Sequence, residues 1–173
     1  MGKKVTTKII HTGSMPEKNF GSINIPVYKN STLIFKNYNN FLDAKKNRFD
    51  SPYYGRINTN TTKDLAKIIS TLYESKFTVL TSSGLSAITL TLKTFLKKND
   101  EILITENCYE PVFNFAQSEL LKFGVKVSYF SNNCKNLQSL IKKNTKLIYI
   151  ESPGSLNFEV TDLKNICNLA KKK

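Results

Sequence analysis

Histidine is nearly absent: His11 is the only one in 173 residues. A histidine-based nucleophilic triad is therefore excluded unless His11 itself serves. Arginine is almost as scarce, with Arg48 and Arg56 alone among 26 Lys+Arg. The net charge of +13 invites a nucleic-acid reading. Against it, arginine is the side chain that grips phosphates and bases bidentately. The lysines are scattered, and several sit in pairs at predicted helix ends (Lys97-Lys98, Lys142-Lys143, Lys171 to Lys173). A solvated lysine-rich surface and no nucleic-acid partner are expected. The three cysteines, Cys108, Cys134 and Cys167, are odd in number and far apart, with no CxxC or Cys/His spacing. A reduced, cytoplasmic protein without a metal site is expected. No apolar run approaches the ~18 residues of a membrane span, and the N-terminus lacks an apolar signal core. Met1-Gly2-Lys3-Lys4-Val5-Thr6 fits the loose myristoylation pattern, which so short a stretch meets often by chance.

What is present suits a globular chain of one domain's size, with 40% hydrophobic and 23% charged residues. Residues 1 to about 50 lack strong periodicity and carry Gly13, Pro16, Gly21, Pro26 and many asparagines. Ile23–Ile25 and Thr32–Phe35 are short extended candidates, and Asn39–Arg48 can hold a helical turn. Leu65, Ile68, Ile69 and Leu72 then fall at i, i+3, i+4, i+7, an amphipathic helix with cap chemistry before it at Thr59-Asn60-Thr61-Thr62. From there strands and helices alternate. Strands are predicted at Phe77–Leu80, Glu101–Thr105, Val125–Phe130 and Lys146–Ile150. Helices are predicted at Leu85–Lys97, Pro111–Phe123, Leu137–Ile141 and Asp162–Ala170, with Pro111 in a first turn and Gly124 as a helix stop. The pattern predicts an α/β fold, a mostly parallel sheet flanked by helices. Residues 1–60 read as an extended arm without a core of its own, and 61–173 as the α/β domain. Ligands bind at the carboxyl ends of such strands. Three turns should share that edge: Thr81–Leu85, Asn107–Glu110 and Glu151–Ser155.

These turns carry the candidate chemistry. Thr81-Ser82-Ser83-Gly84-Leu85 joins a predicted strand to a helix start, where unsatisfied N–H groups and the helix dipole favour an anion. Tyr109 can stack on a planar ring. Tyr54 and Arg56 form a phenol–guanidinium pair able to grip a phosphate. A flat phosphorylated cofactor satisfies all three, and pyridoxal phosphate (PLP) fits well. Glu110 and Glu151 read as ordinary loop carboxylates.

The order Tyr54-Gly55-Arg56, Ser82-Ser83-Gly84-Leu85-Ser86-Ala87-Ile88, Tyr109-Glu110-Pro111, Glu151-Ser152-Pro153-Gly154-Ser155 resembles the Cys/Met-metabolism PLP-dependent enzymes. The Tyr-Glu-Pro and Glu-Ser-Pro-Gly-Ser forms look like its bacterial cystathionine β-lyase branch. The resemblance covers nearly all of this chain but only the N-terminal part of a family member. It implies an incomplete aspartate-aminotransferase-like large domain with PLP as cofactor. By that resemblance the N–H groups of Gly84 and Leu85 hold the cofactor phosphate and Tyr109 stacks on the pyridine ring. Tyr54 and Arg56 would reach the phosphate of a neighbouring subunit, making residues 1–60 a dimer-contact segment.

Two departures matter. The family follows Tyr-Gly-Arg with one residue and then Gly-Thr-Pro-Thr, whereas Ile57-Asn58-Thr59-Asn60-Thr61 stands here. Losing that glycine and proline is expected to loosen the loop. The resemblance also places the Schiff-base lysine and the pyridine-nitrogen aspartate beyond Lys173, so no catalytic residue is assigned within this sequence. The resulting expectation is the N-terminal part of a PLP-dependent carbon–sulfur lyase acting on a sulfur amino acid, inactive alone. It would work as a homo-oligomer or with a complementing C-terminal chain. A non-catalytic remnant and a basic nucleic-acid-binding module are the alternatives.

Overall fold

The computed structural model of the protein describes residues 4–171. Met1–Lys3 of the acylation pattern and the last two lysines lie outside the described residues. The chain divides between Leu80 and Thr81 into two compact units.

Among its described residues the first unit holds three α-helices, α1 (Val5–His11), α2 (Tyr38–Lys46) and α3 (Asn60–Leu72), and a short 3-10 turn at Pro16–Lys18. Each of the two longer ones starts on a side-chain cap. Asn37 Oδ1 accepts the Asn40 N–H at 2.9 Å. Thr59 and Thr62 form a reciprocal capping box ahead of α3, as the cap chemistry predicts. Thr32–Phe35 and Ile23–Ile25 are not strands. Between them a side chain ties the strand-less segment to α3: Thr61 Oγ1 donates to the Pro26 carbonyl and accepts the Tyr28 N–H. No apolar side chain described in this unit is fully buried. Its best-packed apolar group is a ring cluster, in which Phe41 lies 5.6 Å from Phe35 and 5.7 Å from Tyr53 between centroids.

The second unit is the α/β layer. It begins with α4 (Gly84–Phe95) and a three-stranded parallel sheet, ordered β2-β1-β3. The strands are β1 (Glu101–Thr105), β2 (Lys126–Phe130) and β3 (Thr145–Tyr149), within one residue of their predicted positions. The helices are α5 (Glu110–Phe115), α6 (Leu137–Leu140) and α7 (Leu163–Lys171). β1 is central and wholly buried, because both faces carry apolar side chains and helices cover both. On one face Ile102 and Ile104 pack with Leu92, Leu96, Ala116, Leu120 and Val125. On the other Leu103 packs with Phe130, Cys134, Leu137 and Ile166.

Two predicted elements differ. Phe77–Leu80 is not a strand, and Phe77 is 72% exposed. The apolar run is as read, but a strand needs a neighbour, and the three described strands pair only with each other. The helix expected over Pro111–Phe123 widens to a π-turn at Ala116–Leu120. There Ser118 Oγ donates to the Asn114 carbonyl at 2.7 Å, the acceptor its own N–H would use in an α-helix. The stop at Gly124 holds: its φ of +74° suits glycine, and the Val125 N–H closes back on the Leu120 carbonyl at 3.0 Å.

One polar network locks the sheet at its N-terminal edge. Glu101 is 1% exposed, yet its carboxylate accepts from Ser128 on β2 at 3.0 Å, from Thr145 on β3 at 3.1 Å and from Lys142 Nζ at 2.9 Å. Burial pushes its pKa up, but those donors outweigh burial and hold it below 4.5. A depressed carboxylate stabilises the fold fully above its unfolded value, and that contribution is lost as pH falls through the folded value. E101Q should therefore cost about 2–3 kcal/mol at pH 7. The gap to wild type should close as pH drops below 4.5, read by urea denaturation at a series of pH values. L103A should cost about 2–5 kcal/mol by the same measurement at any of these pH values, because it opens a cavity.

Candidate functional site

The loop Thr81–Ser83 and the start of α4 are built from small hydroxyl side chains. Ser83 caps the helix, its Oγ accepting the Ser86 N–H at 3.1 Å while its carbonyl accepts the Ala87 N–H at 3.0 Å. Thr81 Oγ1 donates to the Ser83 carbonyl at 2.9 Å. Those bonds satisfy the third and fourth N–H groups of the helix. The first two, of Gly84 and Leu85, take no partner among the described residues. Gly84 is exposed and a side chain there would meet nothing within 4 Å. Two unsatisfied donors at the positive end of a 12-residue helix, beside an open space, make a seat for an anion.

The loop after β1 brings Tyr109 to the same end of the layer. Ile88, one turn into α4, and Cys108, next to Tyr109, pack against the same apolar cluster. Tyr109 precedes α5 with its side chain 45% exposed. The loop after β3 joins it, as the parallel topology requires. Glu151 Oε2 accepts the Tyr109 N–H at 2.7 Å, and the Ser155 N–H donates to the Asn107 carbonyl at 2.9 Å. The Glu151 N–H lies 3.4 Å from Thr105 Oγ1, a weak contact. The second and third predicted turns thus sit on one edge.

Glu151 was expected to be an ordinary loop carboxylate and is not. It is half-buried and pairs with no lysine or arginine among the described residues. Protonated groups surround it. Burial, with Glu151 adding to it, pushes the Cys108 thiol up. Burial and the same carboxylate, with Cys108 beside it, push the Tyr149 phenol up to about 12. Asn107 is a second residue that sequence reasoning missed. It is buried, and neither Oδ1 nor Nδ2 has a partner among the described residues. The only sequence signal for Glu151 was its place at the head of the Glu-Ser-Pro-Gly-Ser motif; for Asn107 there was none.

Tyr54 and Arg56 belong to the first unit, whereas Gly84, Leu85 and Tyr109 belong to the second. The arginine lies over the phenol, its Cζ 5.3 Å from the ring centroid. The loop carrying them is not loosened as the missing glycine and proline predicted. The Gly55 N–H donates to the Ser31 carbonyl at 2.7 Å, and a side chain at Gly55 would run into the Asn30 carbonyl. Asn58, in the place of the family's glycine, is buried and its Nδ2 donates to the Arg48 carbonyl at 3.0 Å. The asparagine anchors the loop by a side-chain bond where glycine has none.

Known proteins are similar to this chain in sequence and fold. A Saccharomyces cerevisiae protein named "Putative cystathionine beta-lyase" is 36% identical over 97% of this chain and 48% of its own length. The L-alanine/L-glutamate racemase of Wolbachia pipientis wMel is 33% identical over 88% of this chain and 40% of its own. The crystal structure of metB from Corynebacterium glutamicum superposes with a TM-score of 0.85 at 25% identity, over 99% of this chain and 43% of that one. The chain therefore spans about half the length, or less, of the relatives it matches. The family model described as Cys/Met metabolism PLP-dependent enzyme matches residues 6–173, and the chain belongs to that family.

Proposed function

We propose that this chain is the cofactor-cradling, N-terminal part of a PLP-dependent carbon–sulfur lyase resembling cystathionine β-lyase. The whole enzyme would convert cystathionine to homocysteine, pyruvate and ammonia by β-elimination. The observation that carries the reading is the unpartnered N–H pair of Gly84 and Leu85 with Tyr109 at the same end of the layer. A phosphate suits the first and a flat ring the second. When bound, PLP supplies the electron sink that makes the substrate α-proton removable. The residues here bind and orient. Gly84 and Leu85 would hold the phosphate through their N–H groups, and Tyr109 would stack on the pyridine face. Tyr54 and Arg56 would reach the phosphate held by a second copy, with residues 1–60 as the contact segment and 61–173 as the PLP-binding domain. Exposed Phe20, Ile34, Ile10 and Val27 in that segment support a covered surface. No residue here is assigned to proton transfer at the substrate, so the chain alone is expected to lack lyase activity.

A second reading, a subunit that needs a complementing chain, is favoured by β3. This strand carries Leu147 and Tyr149 toward one apolar cluster and Ile148 toward the other, the pattern of an interior strand, yet it stands at the sheet edge. A groove of about 610 Å³ runs along it, lined by Ile148, Ile150, Ile166 and Cys167 among others.

Pyridoxine 5′-phosphate tests the cradle cleanly. It keeps the ring and phosphate but has no aldehyde, so the lysines cannot trap it covalently. Fluorescence titration of the chain should show saturable binding at one site. G84A should keep or raise the melting temperature, since alanine favours a helix and meets no neighbour. The same variant should weaken binding at least about tenfold by intruding on the phosphate. Binding unchanged in G84A would reject the cradle. In sedimentation the chain should self-associate; a monodisperse monomer would count against the contact segment. With PLP and cystathionine the chain alone should release no pyruvate, and release of pyruvate would reject its inactivity.

A further inference from the structure

Glu151 pairs with no cationic side chain among the described residues, is half-buried, and its carboxylate accepts a backbone N–H 42 positions away. That N–H belongs to Tyr109. The bond is short, at 2.7 Å, as charge-assisted bonds are. It spans the gap between the loops leaving β1 and β3, which are hydrogen-bonded neighbours in the sheet. Tyr109 has few other restraints. Its side chain makes no cap for α5, and the residue is 45% exposed. Downstream its carbonyl accepts the Val112 N–H at 2.8 Å, which fixes the side of the residue facing the helix. Upstream, the Cys108 N–H bonds the Thr105 carbonyl at 3.1 Å. Between these two fixed points only the Tyr109 N–H sets the rotation about its N–Cα bond, and that rotation aims the Cα–Cβ vector and the ring.

We propose that Glu151 is a positioning residue: through the Tyr109 N–H it holds the Tyr109 ring where it can stack on the face of a pyridine ring. The inference rests on the cofactor reading above and adds to it a residue that does not itself touch the ligand.

The test is a double-mutant cycle on the full chain with pyridoxine 5′-phosphate as the ring probe and inorganic phosphate as the ringless one. E151A should weaken pyridoxine 5′-phosphate binding about tenfold, the scale of one lost hydrogen bond to a charged group. It should leave phosphate binding, read by competition, unchanged. Y109A should lose a similar amount, and E151A on the Y109A background should lose nothing more. E151Q keeps an acceptor oxygen at the same reach without the charge, and should lose clearly less than E151A. E151D keeps the charge but is one methylene shorter, and should behave as E151A. Should E151A fail to fold by far-UV circular dichroism, the contrast between E151Q and E151D decides. Additive losses in the cycle, equal loss of phosphate binding, or wild-type affinity in E151D would overturn the inference and leave the cradle standing. A wild-type chain that binds neither probe would instead reject the cradle, and this inference with it.

Discussion

The α/β layer depends on one buried carboxylate. Three parallel strands far apart in sequence must start level with one another, and parallel pairing has no hairpin to set its register. Glu101 supplies a common point, since a donor from each neighbouring strand and a lysine converge on its two oxygens. Removing it from water is unfavourable, and it is tolerated because charged and hydroxyl donors fill its lone pairs. β2 keeps that register to its end, whereas β3 slips by one residue after Glu101 and finishes with Tyr149 opposite Ile104.

The opposite edge is where the loops of chemical interest leave the sheet. The two ends of the layer use the same device differently. At the start of the strands a carboxylate gathers side-chain donors; at their finish Glu151 takes a backbone donor. One fixes strand against strand, and the other fixes loop against loop. The anion seat of α4 needs neither, because Ser83 completes the helix start locally and leaves the first two N–H groups open.

Much of this layer was legible in the sequence because its signals are local or periodic. β1 matches its predicted limits since the run Ile102-Leu103-Ile104 puts apolar side chains on both faces, and α3 announces itself through Leu65, Ile68, Ile69 and Leu72 with a threonine box before them. Phe77–Leu80 misled for the opposite reason: its composition suits a strand, but pairing is a property of the neighbour. The π-turn at Ala116–Leu120 was invisible because Val112, Ala116 and Leu120 keep ordinary helical spacing and are all buried. Gly84, Leu85 and Tyr109 could be picked out by motif, whereas Glu151 could not be weighed. Its value comes from an N–H group 42 positions earlier, and no spacing rule connects the two.

The first unit, with no fully buried apolar side chain among its described residues, has a consequence for biogenesis. It is synthesised before the α/β layer, and none of its described apolar side chains lies in a dry interior. Helix caps and a cluster of rings give it local order, but local order alone leaves Phe20 and Ile34 open to water. Such a segment is a natural client for a holding chaperone during synthesis.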